Sequence, residues 1–169
     1  MDLARRFAFY VLRKALLVFI VILFLGITFF STRDVANVYI VVNEGLESRV
    51  LAILDQNIDV EFLDRFFSDS FLREDQLLSN NIYTGYNIYS YRHRIRMNFF
   101  WIWPWDNEAT ISVEQVVSNI IGESRNIDEG LKNPPEWESG RKLVVLIREQ
   151  GRWQIDSMES TEPIMSSGE

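Results

Sequence analysis

Tyr89-Ser90-Tyr91-Arg92-His93-Arg94-Ile95-Arg96-Met97-Asn98-Phe99-Phe100-Trp101 alternates large side chains at odd positions with polar ones at even positions as far as Asn98. A period of two predicts a long half-buried strand, with Tyr89, Tyr91, His93, Ile95, Met97, Phe99 and Trp101 inward and the arginines outward. Pro104-Trp105-Asp106-Asn107 reads as the turn that follows. The partner strand alternates likewise, with Ala109, Ile111, Val113 and Val117 set against Thr110, Ser112, Glu114 and Ser118. From Gly122 to Gly140 the sequence reads as a long irregular connection carrying Asn133-Pro134-Pro135. Two further strands, 142–149 and 152–158, are joined tightly at Gln150-Gly151.

Upstream of the strand the period is helical. Val35, Val38, Tyr39, Val42, Leu46, Val50, Ile53 and Leu54 recur at three- and four-residue steps, with Gly45 placed for a bend or a close crossing. Asp59 reads as the N-cap of a second helix that buries Leu63, Phe66 and Phe67. A third short helix is expected over 71–78, stopped by Ser79-Asn80-Asn81. Helices followed by a curved antiparallel sheet make an α+β layout.

Further upstream lies the most apolar part of the chain. Residues 15–30 carry no charge, after a basic start at Arg5, Arg6, Arg13 and Lys14. Sixteen helical residues rise about 24 Å, slightly short of the ~30 Å hydrocarbon core. Arg13 and Lys14 can snorkel at one end, and Phe29 and Phe30 extend the other. A cleaved signal peptide is the competing reading, but Phe29-Phe30 stands where the cleavage rules require small residues. A lipoprotein anchor is excluded because the chain has no cysteine. The organisation expected is therefore a basic cytoplasmic segment (1–14), a transmembrane helix (15–31), a domain (32–159) and a loose acidic tail (160–169).

Charge sets the orientation. Residues 1–14 hold four basic side chains and one acid, and the remainder holds 13 basic and 23 acidic ones. Basic flanks stay in the cytoplasm, so the domain is expected outside the cell membrane, as in a bacterial single-pass protein. An acidic outer domain does not attract nucleic acid through its net field. With no cysteine and one histidine, disulfides are excluded and no metal-ligand spacing occurs. No Gly-rich phosphate loop or nucleophile elbow occurs either. No cofactor and no metal are expected.

The ending Gly151-Arg152-Trp153-Gln154-Ile155-Asp156-Ser157 and the aromatic-rich segment 59–71 resemble pieces of the nuclear transport factor 2-like superfamily. These are cone-shaped α+β domains with helices packed into a bent sheet, and the resemblance covers residues 33–158. It implies a packing scaffold more than a chemistry, because the superfamily holds enzymes, inert scaffolds and membrane-anchored assembly factors. Its periplasmic members in type IV secretion and conjugation machines share a short cytoplasmic start, one span and one outer domain. The present chain is similar to that architecture in layout.

Three groups of residues are candidates for function. Tyr89, Tyr91 and His93 would line the cone cavity, where His93 is either an acid–base group or a core histidine. Its inward neighbours across the sheet, Ile111 and Val113, are read as aliphatic. Arg92, Arg94 and Arg96 form a basic row that either grips an acidic partner or is neutralised across the strand by Glu114. Residues 99–105, Phe-Phe-Trp-Ile-Trp-Pro-Trp, lose the alternation and demand a cover: the chain itself, a partner or the membrane interface. By parity Trp101 is expected in the core and Phe100 and Ile102 outside, with Trp103 and Trp105 as further interaction candidates. The function expected is a non-enzymatic interaction or assembly protein, held by membrane lipid and engaging a protein partner or itself. A tethered small-molecule binder or enzyme using the cavity near His93 is the alternative, and an envelope-structural role a third.

Overall fold

The helical stripe of the sequence lies on one very long helix. In the computed structural model, which describes residues 2–55, 60–125 and 133–163, α1 runs unbroken over Asp2–Leu54. No helix boundary falls between residues 31 and 32, so the apolar run and the first core helix are one element. The N-terminal stretch is long and apolar enough to cross a membrane, with a hydropathy of 2.6 in its most apolar window. Thr28 and Thr32 return their hydroxyl protons to the carbonyls of Phe24 and Thr28 at 2.9 and 2.8 Å, which hides two polar groups in that apolar setting. Further along, Val38, Val42, Leu46, Val50, Ile53 and Leu54 are all buried, one face at helical spacing, whereas Tyr39 of the expected stripe is exposed. Gly45 is a close crossing: a Cβ there would stand 2.9 Å from the Phe66 Cβ.

The N-cap expected at Asp59 lies outside the described residues. After it, a 3-10 helix (Val60–Arg65) brings in Leu63, Phe66 and Phe67, which are buried as the spacing predicts. The single helix expected over 71–78 is two helices, α2 (Asp69–Glu74) and α3 (Gln76–Ser79). Asp75 separates them. Its extended backbone ends α2, and its side chain accepts from the Leu77 N–H at 3.0 Å to start α3.

Four antiparallel strands follow as a curved meander in the order β1-β2-β3-β4: β1 (Tyr86–Met97), β2 (Glu108–Ser124), β3 (Gly140–Glu149) and β4 (Arg152–Pro163). Two boundaries move from the sequence reading. β2 continues through Gly122 to Ser124, and β4 continues to Pro163, where Gly140 and Arg141 pair with Pro163 and Glu162. Residues 160–163 are therefore strand rather than loose tail, because β3 offers them a paired edge; 164–169 lie outside the described residues. Gln150 and Gly151, at φ 50° and 79°, form the two-residue turn whose twist suits a hairpin.

β1 and β2 are bulged twice, between Ile88 and Ser90 and between Ser90 and Arg92. Asn119, at φ 54°, lies in the second bulge, where two residues of β2 oppose one of β1. The bulges shift the phase of β1. Tyr89 is consequently exposed, donating its hydroxyl to Glu123 at 3.0 Å, while Ile88 and Tyr91 turn inward. The core against β1 and β2 gathers Val50, Ile53, Leu54, Tyr83, Val117 and Trp137. Trp153 and Ile155 of β4 are buried, as the last strand's alternation predicts.

The chain groups into two compact units. One is Met1–Ala36 with Trp101–Asp106, and the other is the rest of the described chain.

Candidate functional site

The inward face of the sheet carries three polar residues in a mainly apolar row: His93 on β1, Gln115 on β2 and Lys142 on β3. Strand alternation places them. Gln115 is in phase with Ile111, Val113 and Val117, and Lys142 is in phase with Val144 and Leu146, so all face the core. Arg49 joins them from α1, one turn after Leu46 and one before Ile53. Arg49 and Lys142 are only 5% and 9% exposed, a rare depth for cations.

Asp75 partly compensates this charge. Its two carboxylate oxygens accept from Arg49 Nε and Nη2 at 2.5 and 2.9 Å, a two-point pairing of planar groups. Arg49 Nη1 and the indole N–H of Trp137 are buried without a hydrogen-bond partner, and the guanidinium lies 5.8 Å from the Trp137 ring centre. Lys142 has no ion pair among the described residues. Burial, and then the nearby Arg49 charge, push its ammonium down to about 8. Arg49, Lys142, Trp137 and Asp75 line a cavity of about 360 Å³, with Phe71, Leu77 and Met158 among its apolar walls.

His93 belongs to a second, smaller cavity of about 150 Å³, with Asn43, Glu47, Tyr91 and Ile95. Tyr91 and His93 are thus brought together and Tyr89 is not. Nor are the neighbours of His93 only aliphatic: Gln115 lies with its Nε2 at 3.2 Å from His93 Nε2. The amide donates to a neutral ring protonated on Nδ1, in keeping with a pKa below the ordinary value through burial and then the Lys142 charge. Burial, with Asp55 and Glu47 nearby, pushes the Tyr91 hydroxyl up. A deprotonated phenol is thereby disfavoured at neutral pH.

The aromatic segment inverts the expected parity. Strand β1 ends at Met97, so residues 99–105 follow a loop path and the alternation no longer applies. Ile102 is buried, 1% exposed, and Phe100 is half-buried, whereas Phe99 is 92% exposed and Trp101, Trp103 and Trp105 are all exposed. Trp101 is thus not core, and the Phe100–Ile102 pair is not an open apolar face. Trp103 and Trp105 stack with ring centres 5.2 Å apart across a turn in which the Asp106 N–H donates to the Trp103 carbonyl at 3.0 Å. Within its compact unit, exposure along the helix falls on Gly26, Ile27, Ser31, Asp34 and Val35, spaced as one helical stripe. Trp101–Asp106 is the segment grouped with that helical stretch.

Arg92, Arg94 and Arg96 are exposed along β1, with Arg96 paired in register to Glu114. No cluster of three metal-ligating side chains occurs among the described residues. Sequence reasoning missed Arg49, Asp75, Gln115 and Lys142. The signal for Lys142 and Gln115 was their phase with apolar neighbours. No family model, curated protein or solved structure matches this chain.

Proposed function

We propose that this protein is a single-pass, membrane-anchored, non-enzymatic interaction protein whose domain stands outside the cell membrane. The supporting observation is the grouping of Trp101–Asp106 in one compact unit with the apolar stretch of α1. Trp101, Trp103 and Trp105 are exposed and belong to the same compact unit as the apolar run of residues 15–30. Tryptophan favours the membrane interface, since its ring is apolar and its N–H needs a wet partner. Four basic side chains before the run favour a cytoplasmic N-terminus.

The domain so displayed is read as nuclear transport factor 2-like: short helices and the end of a long one against a curled four-stranded meander. Its role is read as assembly, with a protein partner or a second copy, in the manner of secretion-machine components of similar layout. The exposed row Arg92, Arg94 and Arg96 is a surface for such a partner. Protease applied to cells with an opened outer envelope is expected to digest the domain and leave a short membrane-bound fragment. Full protection would overturn the orientation. Crosslinking in intact membranes followed by purification is expected to recover a discrete higher-mass species, and recovery of uncrosslinked monomer alone would overturn the assembly role.

A further inference from the structure

We propose that the cavity between α2, α3 and the β3–β4 strands is a binding site for a small organic carboxylate, received by Arg49 and Lys142. The argument begins with charge. Among the fully buried ionisable groups of the cavity, Arg49 and Lys142 are positive and Asp75 is negative, so within that set one positive charge is left uncompensated. Buried charges are normally paired, because burial without a partner is costly. A monoanion at Lys142 restores neutrality.

Hydrogen bonding points the same way. Asp75 occupies two of the Arg49 donors and leaves Nη1, which is buried with no partner, as is the Trp137 N–H. Both residues line the cavity beside Lys142. Unmet groups of donor character and a surplus of positive charge together select an acceptor-only anion, and a carboxylate is the planar one that an arginine matches.

The walls set the rest of the ligand. Phe71, Leu77, Trp137 and Met158 give an apolar lining, and about 360 Å³ lies within the usual range for small-molecule sites. Glu74, Glu138 and Asp156 also line the cavity; the two glutamates are exposed to water, and Asp156 is half-buried and accepts from the Ser68 and Ser70 hydroxyls at 2.7 Å. Coulomb energies near the surface are screened several-fold relative to the interior, so each exposed glutamate opposes a bound anion less than each buried cation attracts it. A compact acid with a hydrophobic body fits these features, and a polyanion does not.

The test uses the full chain in detergent micelles, with 3-phenylpropionate as the probe and 3-phenylpropionamide as its neutral isostere. Calorimetric titration at neutral pH is expected to give saturable binding of the acid and at least about tenfold weaker binding of the amide. Lys142→Met is expected to weaken the acid by about tenfold or more while raising the thermal midpoint, and Lys142→Arg to retain binding. A variant that melts higher and binds less cannot be dismissed as unfolded. Equal affinity for acid and amide overturns the proposal, as does unchanged affinity in Lys142→Met or the absence of saturable binding. Should Lys142→Met fail to fold, the acid–amide comparison on the native chain still decides.

Discussion

Arg49 and Asp75, 26 residues apart, face each other through two hydrogen bonds in the interior, with side-chain exposures of 6% and 3%. The same carboxylate caps α3 through the Leu77 N–H. One side chain therefore fixes both the short helices and the charge of the cavity floor.

Removing one partner of that pair leaves a buried, unpaired charge. Asp75→Asn, which keeps a capping oxygen, is expected to destabilise the protein by about 3–5 kcal/mol, and Arg49→Met by a similar amount. The double variant is expected to lose much less than the two losses combined, since neither charge is then stranded. Thermal melts of the four proteins in detergent measure this; strictly additive losses would show that the pair is not coupled.

Lys142 makes stability depend on pH at the alkaline end. Its folded pKa of about 8 lies below the ordinary 10.5, so between these values the unfolded chain binds the extra proton. Stability is therefore expected to rise as pH climbs from about 8 towards 10.5, as the buried ammonium discharges. Arg49 on α1 drives the shift beyond burial itself, and Glu138 and Asp75 oppose it. Below the folded pKa the charge costs roughly 3 kcal/mol, the order that Lys142→Met should recover. Melting curves across that range are expected to slope upward for the native chain and to lie flat for Lys142→Met. Parallel curves would show that Lys142 is solvated in the folded protein.

His93 acts at the acid end. Burial and the Lys142 charge hold its folded pKa below the ordinary 6.5, so stability is full above 6.5 and is lost as pH falls through the lowered value. That window opens well above the range near 4 in which carboxylates titrate. His93→Gln can keep a hydrogen bond to Gln115 and has no proton to gain, so its stability is expected to stay level over the first stage of acidification. Identical acid limbs for the two proteins would remove His93 as the cause.

The sequence revealed elements whose signal is local and hid those set by pairing. Helical spacing from Val38 to Ile53 and the Gln150-Gly151 hairpin read correctly because each follows from a few neighbouring residues. The orientation of Tyr89 did not, since a bulge depends on how β1 registers with β2, and one added residue reverses the face. The extension of β4 to Pro163 likewise depends on an edge offered from β3, 20 or so residues away. At the cavity, Lys142 and Arg49 are not legible in the sequence because lysine and arginine are almost never fully buried unless paired, and only the tertiary fold closes over them. For Ile102 and Trp101 the alternation rule has no force, because strand β1 has already ended at Met97.

The corrected aromatic segment yields a prediction that separates packing from membrane contact. Ile102 is enclosed and the neighbouring tryptophans are not, so the two kinds of side chain should respond in opposite ways. Ile102→Ala is expected to cost about 2–5 kcal/mol, as for a buried aliphatic truncation. Trp103→Ser with Trp105→Ser should change stability by less than about 1 kcal/mol, apart from the loss of their mutual stacking. The same double variant should lose contact with lipid. Five tryptophans report in the native chain, and Trp137 and Trp153 are buried in the domain. In vesicles containing brominated lipid, quenching of the native fluorescence is expected to be strong and to fall sharply once Trp103 and Trp105 are replaced. Undiminished quenching in that variant would place the lipid-facing signal elsewhere, and the loop would then be a surface for protein rather than for membrane.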